Sequence, residues 1–61
     1  MMTNASQLKK ATLLAIIAAR IIATHPALYA GHEADALKFA ARQCPTKADA
    51  LRHGRVLGLW A

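Results

Sequence analysis

Sixty-one residues make at most one domain, and a domain of this size buries only about 60% of the surface that its unfolded chain exposes. Eight Lys/Arg against three Asp/Glu give a net charge of +5, and 56% of the residues are hydrophobic, a figure raised by fifteen alanines that fill little volume. One cysteine excludes an internal disulfide, so the support that so small a chain needs must come from an oligomer or a protein partner.

Residues 1–6 form a polar lead in which Thr3, Asn4 and Ser6 can each cap a helix, and Asn4 with Gln7 three positions on approximates a capping box. Helix 1 is predicted over about 5–23. Its centre, ATLLAIIAARIIA, is apolar on two sides. Leu13, Leu14, Ile17 and Ile21 make a bulky face. Leu8, Ala11, Ala15, Ala18 and Ile22 make a second face of mostly small residues, and only Lys9, Thr12 and Arg20 form a polar strip. A helix apolar nearly all round is expected to be buried nearly all round. The second face is therefore the candidate seam for self-association or a partner, unless the chain's own helices cover both sides. The alanine content and the lack of period-2 alternation argue against a strand.

The same stretch has some features of a targeting or membrane segment. Lys9-Lys10 before the apolar run and Ala27-Leu28-Tyr29-Ala30 before Gly31 trace the outline of a signal peptide, but Arg20 interrupts it. The nine residues between Lys10 and Arg20 fall well short of the about 20 needed to cross a bilayer. The polar strip is too narrow for a helix lying on a membrane surface. A soluble, cytoplasmic protein is expected.

Thr24-His25-Pro26 ends helix 1, because the residue before a proline is pushed out of the helical region. Helix 2 is predicted over about 26–43, with or without a break near Gly31. Glu33 and Asp35 come early and Lys38 and Arg42 late, the order that suits a helix dipole. Ala30, Ala34, Leu37, Ala41 and Cys44 form its apolar stripe, whereas Phe39 stands among polar residues on the other side. An aromatic so placed is a candidate partner contact, for a protein or a stacked base. The alternative is a helix rolled so that Ala36, Phe39 and Ala40 face the core.

Cys44-Pro45 closes helix 2, and Thr46 with Asp49 opens helix 3, over about 47–53 or longer, with a tail to residue 61. Gly54 after Arg52-His53 has the look of a C-terminal cap. Trp60, next to last, is a lid on the core or a plug in an interface, and so is the second candidate partner contact.

Little in the chain points to chemistry. His25, His32, His53 and Cys44 contain no C-x-x-C or H-x-x-x-H pair, so a zinc site would have to gather four separated ligands. Cys44, with Asp49 and His53 downstream, permits the idea of an activated thiol, but so small a core has few side chains to hold a catalytic group in place. Gly54 and Gly58 have a GxxxG spacing with no strand before it. No catalytic residue, cofactor, metal or small-molecule substrate is expected.

The resulting expectation is an all-α bundle of two to three helices around a largely buried helix 1, completed by oligomerisation or a partner. Its function is that of a non-enzymatic interaction protein, an adaptor or inhibitor of a larger protein of the kind mobile elements encode. The alternative is nucleic-acid binding of low sequence specificity through a basic face of Lys38, Arg42, Arg52 and Arg55. No helix carries the Asn/Gln/Arg set that reads base edges.

Overall fold

A computed structural model describes residues 4–61, and every described element is helical. The polar lead begins outside this range, so the capping role considered for Thr3 lies outside the described residues. Asn4 accepts hydrogen bonds at Oδ1 from the Ser6 backbone N–H, at 3.0 Å, and from the Ser6 hydroxyl, at 2.9 Å. This closes a short 3-10 turn, Ala5–Gln7, and the capping box with Gln7 does not form. Leu8 and Lys9 are extended, so the first α-helix starts later than the periodicity predicts, at α1 (Lys10–Thr24).

Tertiary contacts explain that late start. Ala5 is buried and Leu8 packs against the core. The Lys47 ammonium donates to the Ser6 carbonyl at 2.6 Å, and the Lys10 ammonium donates to the Pro45 carbonyl at 2.7 Å. The N-terminal segment is thus tied by two bonds to the junction between the last two helices, a geometry that a continuous helix from residue 5 does not offer.

Pro26 opens the single turn of α2 (Pro26–Tyr29). Its missing N–H is no loss at a first helical position. The break near Gly31 is a type II turn: Ala30 lies at φ −62, ψ 122, Gly31 at φ 78, and the His32 N–H donates to the Tyr29 carbonyl at 2.8 Å. Then come α3 (Glu33–Gln43) and α4 (Lys47–Val56), making four helices where two to three were expected.

The core is a bulky face of α1 set against small faces of α3 and α4. Leu13, Leu14 and Ile17 are buried, and opposite them lie Ala36, Ala40 and Cys44 from α3 and its C-cap, and Ala50 and Gly54 from α4. α3 is therefore rolled away from the predicted stripe. Ala34, Leu37 and Ala41 are exposed and Ala36 and Ala40 are fully buried, because only methyl-sized side chains let α3 lie close against Leu13 and Ile17.

α1 is covered on one side only. Ala18 belongs to the core, but Ala11, Ala15, Ile16 and Ala19 face outward, so the chain's own helices do not bury α1 nearly all round. The other elements are short and all pack on the bulky face, where the gain in buried area is greatest.

α4 passes through Gly54 and ends two residues later, correcting the cap assignment. Gly58, at φ 76, is the capping glycine: its N–H donates to the Arg55 carbonyl and the Leu59 N–H donates to the Gly54 carbonyl, the paired bonds of a Schellman motif. The tail then turns back and lays the Trp60 indole on Gly54, where its Nε1–H donates to the Leu51 carbonyl at 2.8 Å. A Cβ at position 54 would overlap that ring. Gly54→Ala is therefore expected to destabilise the protein by about 1–3 kcal/mol through overpacking, with a red-shifted Trp60 emission. In a Trp60→Ala background the same change should be neutral or stabilising, since alanine is the better helix former by up to about 1 kcal/mol. Chemical denaturation of the four proteins reads this coupling.

Candidate functional site

An open groove of about 390 Å³ lies at the end of the bundle where α1 meets α2. Its apolar walls come from four elements: Ile21 of α1, Leu28 and Tyr29 of α2, Phe39 of α3, and Leu57 at the end of α4. Arg20, Thr24, His25 and His53 complete the lining, and no carboxylate belongs to it. The helix break at Pro26 creates this concavity, because it sends α2 away from the axis of α1 before Gly31 turns the chain back.

Two of the walls are held open to water. Leu28 is 69% exposed and Phe39 is 43% exposed, although Phe39 has an aromatic neighbour in Tyr29, with ring centroids 6.3 Å apart and planes tilted by 48°. Phe39 thus stands between the two alternatives considered for it. Its ring lies beside Tyr29 and lines both the groove and a neighbouring depression. The Thr24 hydroxyl is already used, donating to the Arg20 carbonyl at 2.8 Å. Tyr29 and Phe39 also border a second, more polar depression lined by Asp35, Lys38 and Arg42.

The other sequence candidates are dispersed. Trp60 is half-buried as a lid on α4, with its ring nitrogen satisfied, and is not in the groove lining. The proposed seam is split: Ala18 is buried, Leu8 and Ile22 are half-buried, and Ala11 and Ala15 are exposed. Of the four residues of the basic face, Lys38 and Arg42 lie together on α3, whereas Arg52 is paired with Asp49 at 2.8 Å on α4. Arg55 sits exposed in the last turn of α4.

Of the groove's lining only Phe39 stands out in the sequence as a contact; among its apolar walls Ile21 reads there as part of the bulky face of α1, and Leu28, Tyr29 and Leu57 carry no signal. Leu28 and Tyr29 sit in the single turn after Pro26, and Leu57 just past the end of α4, so neither stretch carries a periodicity that could have marked them. His25 and His53 share the groove, whereas His32 stands at the start of α3 with its Nδ1 3.9 Å from Asp35. Among the described residues no cluster of three or more His, Cys, Asp or Glu could hold a metal ion. No helix of the described residues is long and apolar enough to cross a membrane.

Cys44 is fully buried, and that burial, followed by the nearby Asp49 carboxylate, pushes its thiol pKa up against the smaller opposing effect of Arg52. An activated thiolate needs the opposite shift. Cys44 is expected to react with a soluble disulfide reagent far more slowly in the native protein than after unfolding, as a stopped-flow thiol titration would read.

The pKa of the Asp49 carboxyl is lowered. The leading cause is the hydrogen bond from the Thr46 hydroxyl at 2.8 Å, with the Arg52 guanidinium adding to it against a desolvation that raises it. The Thr46 hydroxyl in turn accepts the Asp49 backbone N–H at 3.1 Å, which closes the cap. A carboxylate with a lowered folded-state pKa contributes stability above its ordinary range, and that stability is lost as pH falls through the folded value. Removing the cap with Thr46→Ala is expected to cost about 1 kcal/mol near neutral pH. The cost should shrink as the solution is acidified below the ordinary carboxylate range, measured by urea melts across pH.

No family model, curated protein or solved structure matches this chain, so its function must be argued from the groove itself.

Proposed function

We propose that this chain is a non-enzymatic interaction protein that binds a larger protein through the groove between α1, α2 and α3, as an adaptor or inhibitor. The observation that carries this reading is the exposure of Leu28 and Phe39 in the lining of one apolar concavity. Exposed apolar surface gathered in a concavity and rimmed by polar groups is the usual character of a contact site, whereas single exposed apolar residues are ordinary. The lining also holds the aromatic side chains that anchor interfaces, Tyr29 and Phe39.

Self-association is the second reading, favoured by the outward Ala11, Ala15 and Ile16 of α1, where small side chains allow a second helix to approach closely. Low-specificity nucleic-acid binding is weaker, because the Asp49 pair removes Arg52 from the four-residue basic face.

Leu28→Gln tests the groove with little risk to the fold, since Leu28 is the most exposed of the groove's apolar walls. The tagged chain and this variant are recovered gently from native cells and weighed intact. The reading expects a heavier protein species with the wild type, depleted about tenfold or more with Leu28→Gln, as the loss of one buried leucine contact implies. A species retained equally by both would overturn it. Masses that are whole multiples of 6.5 kDa would point to self-association, and a nucleic-acid component released by salt would point to the basic face.

A further inference from the structure

We infer that the occupant of the groove is the apolar side of an acidic amphipathic helix on the partner protein, an inference that rests on reading the groove as a protein-binding site. Three observations lead to it. First, none of the groove's lining residues is a carboxylate, and Arg20 stands on its α1 side. Second, the depression that shares Tyr29 and Phe39 with the groove carries Lys38 and Arg42, one turn apart on α3, against the single carboxylate of Asp35. Neither cation is ion-paired among the described residues, whereas Asp35 already has His32 beside it at 3.9 Å. The groove is therefore an apolar concavity with one cation in its lining and two more in the adjoining depression, and the charge complementary to it is negative.

Third, the way the backbone is used favours a helix over an extended segment. The described residues contain no strand, so no sheet edge exists for a partner strand to pair with. An extended segment laid over the apolar walls of Ile21, Leu28, Phe39 and Leu57 would bury backbone N–H and C=O groups against side chains that offer them no partner. A helix satisfies its own backbone and presents apolar side chains at i, i+3, i+4 and i+7. The 390 Å³ volume admits a few such side chains and not a folded domain. Acidic residues flanking that apolar strip then meet Arg20 in the groove and Lys38 and Arg42 in the adjoining depression.

The test uses the full chain and fluorescein-labelled helical peptides of about 15 residues, long enough for partial helicity. One carries Leu and Phe at the apolar positions and Glu elsewhere, and its counterpart carries Lys in place of Glu. Fluorescence anisotropy at low and moderate salt is expected to give the Glu peptide about tenfold the affinity of the Lys peptide, a margin that narrows with salt. Leu28→Gln should weaken the Glu peptide about tenfold, and the Lys38→Glu/Arg42→Glu double variant should remove or reverse the preference.

Equal affinity for the two peptides, with both weakened by Leu28→Gln, would overturn the acidic assignment and leave the groove reading standing. No binding, or binding indifferent to Leu28→Gln, would overturn both. A labelled DNA duplex that displaces the Glu peptide and binds more tightly would assign Lys38 and Arg42 to phosphate, and would also overturn the proposal.

Discussion

Everything in this small protein depends on seating the bulky face of α1 against side chains that are almost absent. Leu13, Leu14 and Ile17 supply the volume, and Ala36, Ala40, Cys44, Ala50 and Gly54 supply the closeness. Dispersion attraction falls steeply with separation, so a core built from few large groups gains most when the helices around it can come near. This explains how a chain with fifteen alanines builds a core at all. It also explains which apolar residues are left out. Three short helices crowd one side of α1, and Leu28, Leu37, Phe39 and Val56 find no room there.

The C-terminal tail solves a related problem. The last turn of α4 presents a backbone without a side chain at Gly54, which would leave Ala50 and Leu51 thinly covered. Gly58 supplies the left-handed residue that ends the helix, and the reversed chain brings Trp60 onto the gap. The indole both covers Gly54 and satisfies its own N–H on the Leu51 carbonyl. The two glycines of the GxxxG spacing thus have different physical roles. One removes a Cβ and the other permits a turn.

On the proposed reading the groove is a surface for contact. Its walls are apolar, its polar members are spread round the edge, and the cysteine that could have supplied a nucleophile is sealed in the core on another part of the molecule. The edge carries positive charge at Arg20 and, through the adjoining depression, at Lys38 and Arg42. If the proposed acidic partner binds there, cations so placed would steer it toward the groove more than they tighten it, because such pairs stay in water, and the affinity would come from covering Leu28 and Phe39.

Local patterns along the chain determined the helical class, the bulky face of α1, the stop at Pro26, the turn at Gly31 and the cap at Thr46. Each rests on neighbouring residues: a period of 3.6, a ring that forbids helical backbone before it, a hydroxyl within reach of a free N–H. Trp60 as a lid was one of two readings, and only the fold-back chose it. Tertiary structure alone decided the late start of α1, the roll of α3 onto Ala36 and Ala40, the shift of the last cap from Gly54 to Gly58, and the exposure of Ala11 and Ala15. It also assembled the groove, whose walls come from four separate elements. Those features depend on which surfaces meet, and a helix with apolar residues on two sides does not declare, before its neighbours arrive, which side they will take.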